Sequence, residues 1–404
     1  MTAIASSFSP IIVSGMGGLC AAGANVPEIM STIYSGLRRP VVSEYVCADH
    51  LEQYPMFELP PSAVPDGYYE GPEPERCGLL AIEAACEAVK DAGLDLDKLN
   101  EYRVGVCIGT TVGNAMNNES FYCDFLSSRF PGMQSIKTYL KSNPADMVAR
   151  HFHLKGMRQC IANACSSGAV AIGQAAEWIN NGLCDIVLAG GSDMLCRVIY
   201  NGFVSLKITD SQPCRPFDKN RMGLNLGEGA GMVVLESSRT VRQRKARIHA
   251  TLCGYGNCSD AYHISAPMPD GAGLEMAINV ALQQAQISHN DIAFINAHGT
   301  ATPENDKVEG ILFSRLFPQT PFHSTKGYTG HMLGAAGAIE AIITIESLKR
   351  QMIAANVGFS EPDPEFAVNP VTENTPVAGG YALSDSVAFG GNNAALVFGR
   401  TSEA

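Results

Sequence analysis

The chain has 404 residues, 46% of them hydrophobic and 17% charged, which is apolar enough to build a core and too weakly charged for disorder. At about 150 residues per domain, that length implies two to three domains or one large duplicated unit. Lysine and arginine number 28 against 40 acids, a net charge of −12, which excludes a general binder of nucleic-acid phosphates. Thirteen cysteines, an odd number without any C-x-x-C pair, argue for reduced intracellular thiols and a cytoplasmic protein over a disulfide scaffold. MTAIASSFSPIIVSGMGG has no basic residue ahead of its apolar stretch, so no signal peptide is expected. No apolar run approaches the ~20 residues of a membrane helix.

Short apolar segments cut off by turn formers read as buried strands: 11–18, 104–111, 160–165, 185–193, 231–237 and 292–299. Helical patterns lie between them, at Glu83–Ala92, Ser166–Asn181, Gly271–Ser288 and Gly330–Gln351. Alternating strands and helices predict an α/β class with largely parallel sheets. A weak internal echo is present. VGVCIGTT and INAHGTAT each end a strand in Gly-Thr, and CSSGAVAIGQAA and GHMLGAAGAIEA are both small-residue helices. Two similar halves are expected, residues 1–240 and 241–404, divided where Arg239, Arg242, Arg244, Lys245 and Arg247 break the pattern. Residues 112–143 are less regular, and are either a cover for a site or subunit contact or a plain loop-and-helix excursion.

CIANACSSG puts Cys165 at a strand-to-helix junction. A helix N-terminus stabilises a thiolate through free N–H groups, and the same groups can hold an oxyanion on an acyl carbonyl. A buried, inert packing cysteine is the alternative, and it is assigned to the other twelve. Cys253 and Cys258 lack the partners of a zinc site. His298 ends a strand in INAHGTATPENDKVE, and His331 opens a small-residue helix in STKGYTGHMLGAAG. Lys326 lies five residues before His331, and Asp306 and Glu309 begin a helix where acids are also favourable as caps. A cysteine with two histidines can perform acyl transfer. The thiolate takes the acyl group, and two neutral imidazoles can donate to the carbonyl oxygen of an enolate formed when a malonyl-type nucleophile loses carbon dioxide. SDSVAFGGNNAALVFGR reads strand, turn, strand, with Gly390 and Gly391 suited to positive φ. The Phe389 N–H could join that of Cys165 in an oxyanion hole while its ring gates an acyl pocket. An ordinary hairpin with a core phenylalanine is the other reading.

Together these segments resemble the β-ketoacyl-acyl-carrier-protein synthases that elongate fatty acids and polyketides. NACSSG is similar to the nucleophile motif, CRPFDKNRMGLNLGEGAGMVVLE and SDAYHISAP to two further family stretches, NAHGTATPENDKVE and STKGYTGHMLGAAG to the histidine motifs, and VAFGGNNA to the gate. The resemblance implies a thiolase-like fold, two similar halves in five αβαβα layers, normally dimeric. It implies Cys165 as acyl-accepting nucleophile, His298 and His331 for malonyl decarboxylation and condensation, Lys326 organising them while paired with Glu309, Asp306 as structural support, and Phe389 as gate and oxyanion donor. Acyl and malonyl carrier proteins are the implied partners, with either a second copy or a chain-length-factor-like subunit completing a dimer. No metal and no organic cofactor are implied.

Two departures stand out. Ala388 and Asn392 occupy positions where the family gate usually has Gly and Thr. Residues 72–85 look acidic where fatty-acid enzymes often carry basic carrier-docking residues, so Arg129, Arg150 or the 239–247 patch are the alternative docking candidates. A thiolase is the nearest rival, but it would need a second cysteine in the C-terminal glycine motif. A non-catalytic partner subunit would lack the nucleophile.

Overall fold

A computed structural model describes residues 8–43, 46, 52–63, 76–113 and 118–401. Residues 72–75 of the acidic 72–85 stretch therefore lie outside the described residues, as does part of the irregular 112–143 segment. The first half contains β1 (Ile11–Cys20), α1 (Val26–Tyr34), α2 (Arg76–Asp91), β2 (Val104–Gly109), α3 (Glu119–Leu126), α4 (Gln134–Lys141), α5 (Pro144–His151), β3 (Arg158–Ile161), α6 (Ser167–Asn180), β4 (Ile186–Asp193), α7 (Arg197–Ser205), β5 (Gly229–Glu236) and α8 (Ser238–Arg244). The second contains β6 (Ala250–Ser259), α9 (Ala272–Ala285), β7 (Ile292–Asn296), α10 (Pro303–Leu316), β8 (Phe322–His323), α11 (Lys326–Thr329), α12 (Ala336–Arg350), β9 (Met352–Ile353), β10 (Thr375–Pro376), β11 (Tyr381–Ala388) and β12 (Asn392–Gly399).

Ten strands hydrogen-bond in the order β3-β2-β4-β5-β1-β6-β12-β11-β7-β8. Each five-strand set, read from its outer edge, takes its third, second, fourth, fifth and first member. The two sets meet where Ile11–Val13 of β1 pairs antiparallel with Ala250–Leu252 of β6. The expectation of largely parallel sheets is corrected: β2 and β7 pair parallel with their neighbours, whereas β1, β5, β6 and β12 make only antiparallel pairings. For β11 and β12 the reason is connection length. Phe389–Gly391 is too short for the crossover that parallel strands require.

Strands β1, β4 and β5 are buried along their whole length, as continuous apolar runs covered on both faces should be. Helices α6 and α12 touch strands of both sets and form the central layer. α2 and α5 cover the first set, α9 and α10 the second, giving five αβαβα layers. The small-residue sequences are needed because backbones approach closely. A Cβ on Gly191 of β4 would lie 2.4 Å from the Gly334 carbonyl oxygen and 3.1 Å from the Gly168 Cα. Gly191→Ala is therefore expected to lower stability by about 1–3 kcal/mol through overpacking. Gly202→Ala, which meets nothing within 4 Å in α7, is the control. Denaturant midpoints check this, and equal midpoints for the two variants would remove the close-packing argument.

Two expected elements end differently. The strand expected over 160–165 stops at Ile161, because Ala164 adopts φ 49° and Cys165 sits in a single 3-10 turn, Ala164–Ser166. The helix expected from Gly330 starts at Ala336, behind a second 3-10 turn, Leu333–Ala335, with Leu333 at φ 52°. The turn that carries Cys165 into α6 is thus repeated by one that carries Gly334 into α12. Between β2 and β3, α3 buries none of its side chains and α4 only Thr138.

Candidate active site

The turn at Cys165 is tied by its own serines. Ser167 Oγ accepts the Asn163 N–H at 2.8 Å and donates to the Ala164 carbonyl at 2.7 Å, and Ser166 Oγ donates to the Asn163 carbonyl at 3.0 Å. Gly109 leaves room for this turn, since a Cβ there would fall 2.2 Å from the Ser167 backbone. The Cys165 Sγ is buried, and the backbone N–H groups of Phe389 and of Cys165 itself face it. Burial pushes the thiol up to about 11, partly offset by the Lys326 charge.

His331 Nε2 lies 3.0 Å from Cys165 Sγ. Its backbone is held by the 214–236 segment. The His331 N–H donates to the Asn225 carbonyl at 2.8 Å, and its own carbonyl accepts the Gly227 N–H at 3.0 Å. A Cβ at Gly227 would strike the Thr329 carbonyl at 2.3 Å, so the glycine lets the two chains run side by side. His298, just beyond β7, stands edge-on to His331, with ring centroids 5.2 Å apart at 84°. Cys165 and the two histidines bring their Sγ and ring nitrogens within 4.8 Å of one another.

Lys326 is fully buried, and its Nζ reaches His298 Nδ1 at 3.0 Å and the His298 carbonyl at 2.6 Å. An ammonium only donates, so His298 Nδ1 accepts and the ring hydrogen sits on Nε2. Burial first, and the Lys326 charge second, hold both imidazoles well below the usual histidine range, so both are neutral.

The expected Lys326–Glu309 pairing is corrected. The lysine's carboxylate partner is Glu340 of α12. Glu309 instead accepts the Gly299 N–H at 2.8 Å and the Asn305 amide at 2.5 Å. Immediately after the Lys326–Thr329 turn the chain passes through Gly330 at φ 66°, and the second turn of α12 comes back to the ammonium through Glu340; α10 faces the backbone of the His298 loop through Glu309. Asp306 binds the N–H groups of Phe217 at 2.7 Å and Ala301 at 3.1 Å. Both residues are left-handed, at φ 63° and 70°, so this carboxylate holds two strained loops together.

Gly390 and Gly391 have φ 79° and 74°, as the turn requires. Gly390 N–H donates to the Ile264 carbonyl at 2.8 Å, and the Asp260 N–H donates to the Gly391 carbonyl at 2.7 Å, so the SDAYHISAP stretch anchors the gate. Asn392 Nδ2 donates to the Phe389 carbonyl at 3.3 Å, and Ala388 lines the pocket. The Phe389 ring stacks on Phe203, centroids 5.7 Å apart at 12°. A cavity of about 250 Å³ opens here, with Cys165, His298, His331 and Phe389 in its wall and Phe203, Ile208 and Leu224 adding apolar surface.

Three residues were missed by sequence reasoning. Glu340 is an acid inside a helix otherwise buried and mostly apolar, and that contrast was the available signal. Asp193 ends β4 and accepts from Thr110 Oγ1 at 2.8 Å and from the N–H groups of Thr111 and Gly334 at 2.7 Å each, joining β2, β4 and the second 3-10 turn. Burial pushes it up to about 6. Phe203 had no signal, because only the fold brings α7 to the gate. Among the docking candidates, Arg244 is committed to the buried Glu236, Arg129 pairs with Asp124, and Arg150 donates to the Lys141 carbonyl.

The family model for the beta-ketoacyl synthase N-terminal domain matches residues 72–240, and that for the C-terminal domain matches residues 249–360. The chain belongs to the β-ketoacyl synthase family. It is 32% identical to the 3-oxoacyl-acyl-carrier-protein synthase 2 of Staphylococcus aureus, over 96% of this chain and 97% of that one. Among solved structures, a beta-ketoacyl synthase from Burkholderia phymatum matches with a TM-score of 0.89 and 32% identity, covering 97% of this chain and 100% of that one. The ishigamide ketosynthase/chain length factor matches with a TM-score of 0.90 and 29% identity, covering 97% and 99%. The fold is thereby the thiolase-like ketosynthase fold, and this β-ketoacyl synthase is an enzyme of the acyltransferase type.

Proposed function

We propose that this β-ketoacyl synthase condenses a Cys165-bound acyl group with a malonyl carrier thioester, lengthening the chain by two carbons with loss of carbon dioxide. The observation that carries the reading is the buried contact of Cys165 with His331, beside His298 and the Phe389 N–H. In the loading step the thiol passes its proton to His331 Nε2 as sulfur attacks the acyl thioester. The N–H groups of Cys165 and Phe389 hold the oxyanion. The intermediate then expels the carrier thiolate, which takes the proton from His331. In the second step the malonyl thioester carbonyl sits between the two imidazoles. With the thiol consumed, His331 takes a proton from water on Nε2 and returns its Nδ1 proton to solvent, so that both rings carry their hydrogen on Nε2. The bond to the carboxylate breaks, its electrons form the enolate, and both Nε2–H groups stabilise that oxygen. Enolate carbon attacks the acyl carbonyl, and the collapsing intermediate expels the Cys165 thiolate, which regains a proton from water. Neutral imidazoles suit this role because they donate without protonating the enolate carbon.

The pathway fits either fatty-acid elongation or type II polyketide assembly. The S. aureus relative is named for the acyl-carrier-protein reaction, and the ishigamide protein for a ketosynthase with a chain length factor. We place the protein in the cytoplasm. The described cysteines are all free, and no helix among the described residues is long and apolar enough to cross a membrane. Leu126, Phe130 and Leu140 are exposed on α3, the following loop and α4, and we assign this apolar face to a second chain of the same fold. The division of the chain near residue 240 is part of the same reading, since α8 lies between the two strand sets.

The test is to load the protein with an acyl carrier thioester, add malonyl carrier, and follow intact mass and carbon dioxide, with native mass reporting the assembly. The reading expects a covalent acyl adduct and then a β-keto product two carbons longer. No acyl uptake from any carrier, with or without a partner subunit, would turn the assignment toward a non-catalytic scaffold.

A further inference from the structure

Asp385 of β11 is wholly buried and takes no part in the steps above. Neither of its carboxyl oxygens has a donor at full hydrogen-bond geometry, and Glu309 Oε1 lacks one too. The groups facing Asp385 are the Glu309 carboxyl from α10, Glu340 from α12, the Lys326 ammonium from α11 and the backbone N–H of His298 beyond β7. Glu309 faces Asp385 and Asp306, and its Oε2 takes the Gly299 N–H. Lys326 is already bound to Glu340 and His298. Two ionised carboxylates left in contact in such an interior would repel without compensation. A single proton between them makes one a donor and the other an acceptor, and gives Glu309 Oε1 and one Asp385 oxygen a partner.

We propose that Asp385 and Glu309 share one proton and act together as a carboxyl clamp that positions His298, Asp385 facing its N–H and Glu309 binding the next N–H along the chain. The inference rests on His298 being the enolate donor. Burial, with Glu340 adding to it and the Glu309 hydrogen bond opposing it, pushes Asp385 up to about 7, and burial with the charges of Asp385 and Asp306 pushes Glu309 well above its usual range. A raised pKa means that the proton is held below that value and lost as pH rises through it. The clamp is therefore intact on the acid side of neutrality and opens as pH rises through about 7. Above that pH the extra negative charge pulls Lys326 from the His298 ring and the two carboxylates separate.

The test compares pre-acylated protein in single turnover with malonyl carrier, reading carbon dioxide release against pH. Asp385→Asn supplies a permanent N–H donor to Glu309 while its oxygen still faces the His298 backbone N–H. Asp385→Leu supplies neither. Wild-type condensation is expected to fall about tenfold between about pH 7 and pH 9 as the proton is lost. The leucine variant is expected to lose about 10–100-fold at every pH while acyl loading of Cys165 stays within about threefold. Asparagine should restore the condensation that leucine loses and remove the alkaline fall. A protonated-carboxyl stretch in the infrared difference between wild type and the asparagine variant on the acid side of neutrality reads the shared proton without turnover. An unchanged alkaline fall in Asp385→Asn, an asparagine variant as impaired as leucine, or no carboxyl stretch would each overturn the clamp. Absence of carbon dioxide release in wild type would sink the functional reading instead, and the infrared band would still decide the shared proton.

Discussion

Cys165→Ala is expected to abolish acyl loading and to cut product formation by at least about a thousandfold. No other described cysteine can substitute. The Sγ of Cys165 lies 3.0 Å from His331 Nε2, and this is the cysteine with the Phe389 N–H aimed at it. Cys160 is two residues beyond the β3 entry with its thiol pushed up to about 12 by burial, and Cys196 caps α7. The folding cost should be small, about 1 kcal/mol, because alanine fills the same turn and the lost sulfur borders the cavity. Intact mass after incubation with acyl carrier, beside a denaturant titration, separates the two effects. A wild-type acyl adduct that survives in the alanine variant would move the nucleophile elsewhere.

Lys326→Met is expected to reduce condensation by about 10²–10³-fold by removing the group that fixes His298 as an Nε2–H donor. It also leaves Glu340 buried without its cation. Breaking a buried pair from one side costs about 3–5 kcal/mol, relieved in part as Glu340 takes up a proton. The two losses can be divided. Lys326→Met combined with Glu340→Gln removes the stranded charge, so stability should recover while condensation stays low. Acyl loading, which uses Cys165, His331 and the two backbone N–H groups, should fall less than condensation. The measurements are denaturant midpoints, acyl-adduct formation and carbon dioxide release for the single and double variants. Recovery of condensation in the double variant would show that Lys326 serves stability alone.

Much of the site was legible because its residues stand at element ends. Cys165 follows a strand and precedes a small-residue helix, His298 ends a strand, and Phe389-Gly-Gly interrupts two apolar runs. Local patterning reports such junctions because strand and helix periods break there. Residues that act from within an element were less visible. Glu340 looks like one acid in a helix, Asp385 like one acid in a strand, and their partners lie 14 and 76 residues away in the chain. The pairing of Lys326 with Glu309 was wrong for the same reason. The family resemblance supplied Glu309, and sequence distance offered no correction, since Glu309 and Glu340 lie 17 and 14 residues from Lys326; the turn at Gly330 delivers the acid of the following helix.

The sequence by itself indicated many of the strand and helix segments, the small-residue helices, and the cysteine, two histidines and glycine turn that the structure brings together. Those features depend on periodicity, glycine and proline placement, and motif chemistry, which are local. Only the tertiary structure decided strand direction, the start of α12, and which carboxylate neutralises Lys326. These depend on how the five layers close around α6 and α12. Electrostatic partners in a buried site are set by which side chains that closure brings within about 3 Å, and hydrogen bonds fall off over such distances.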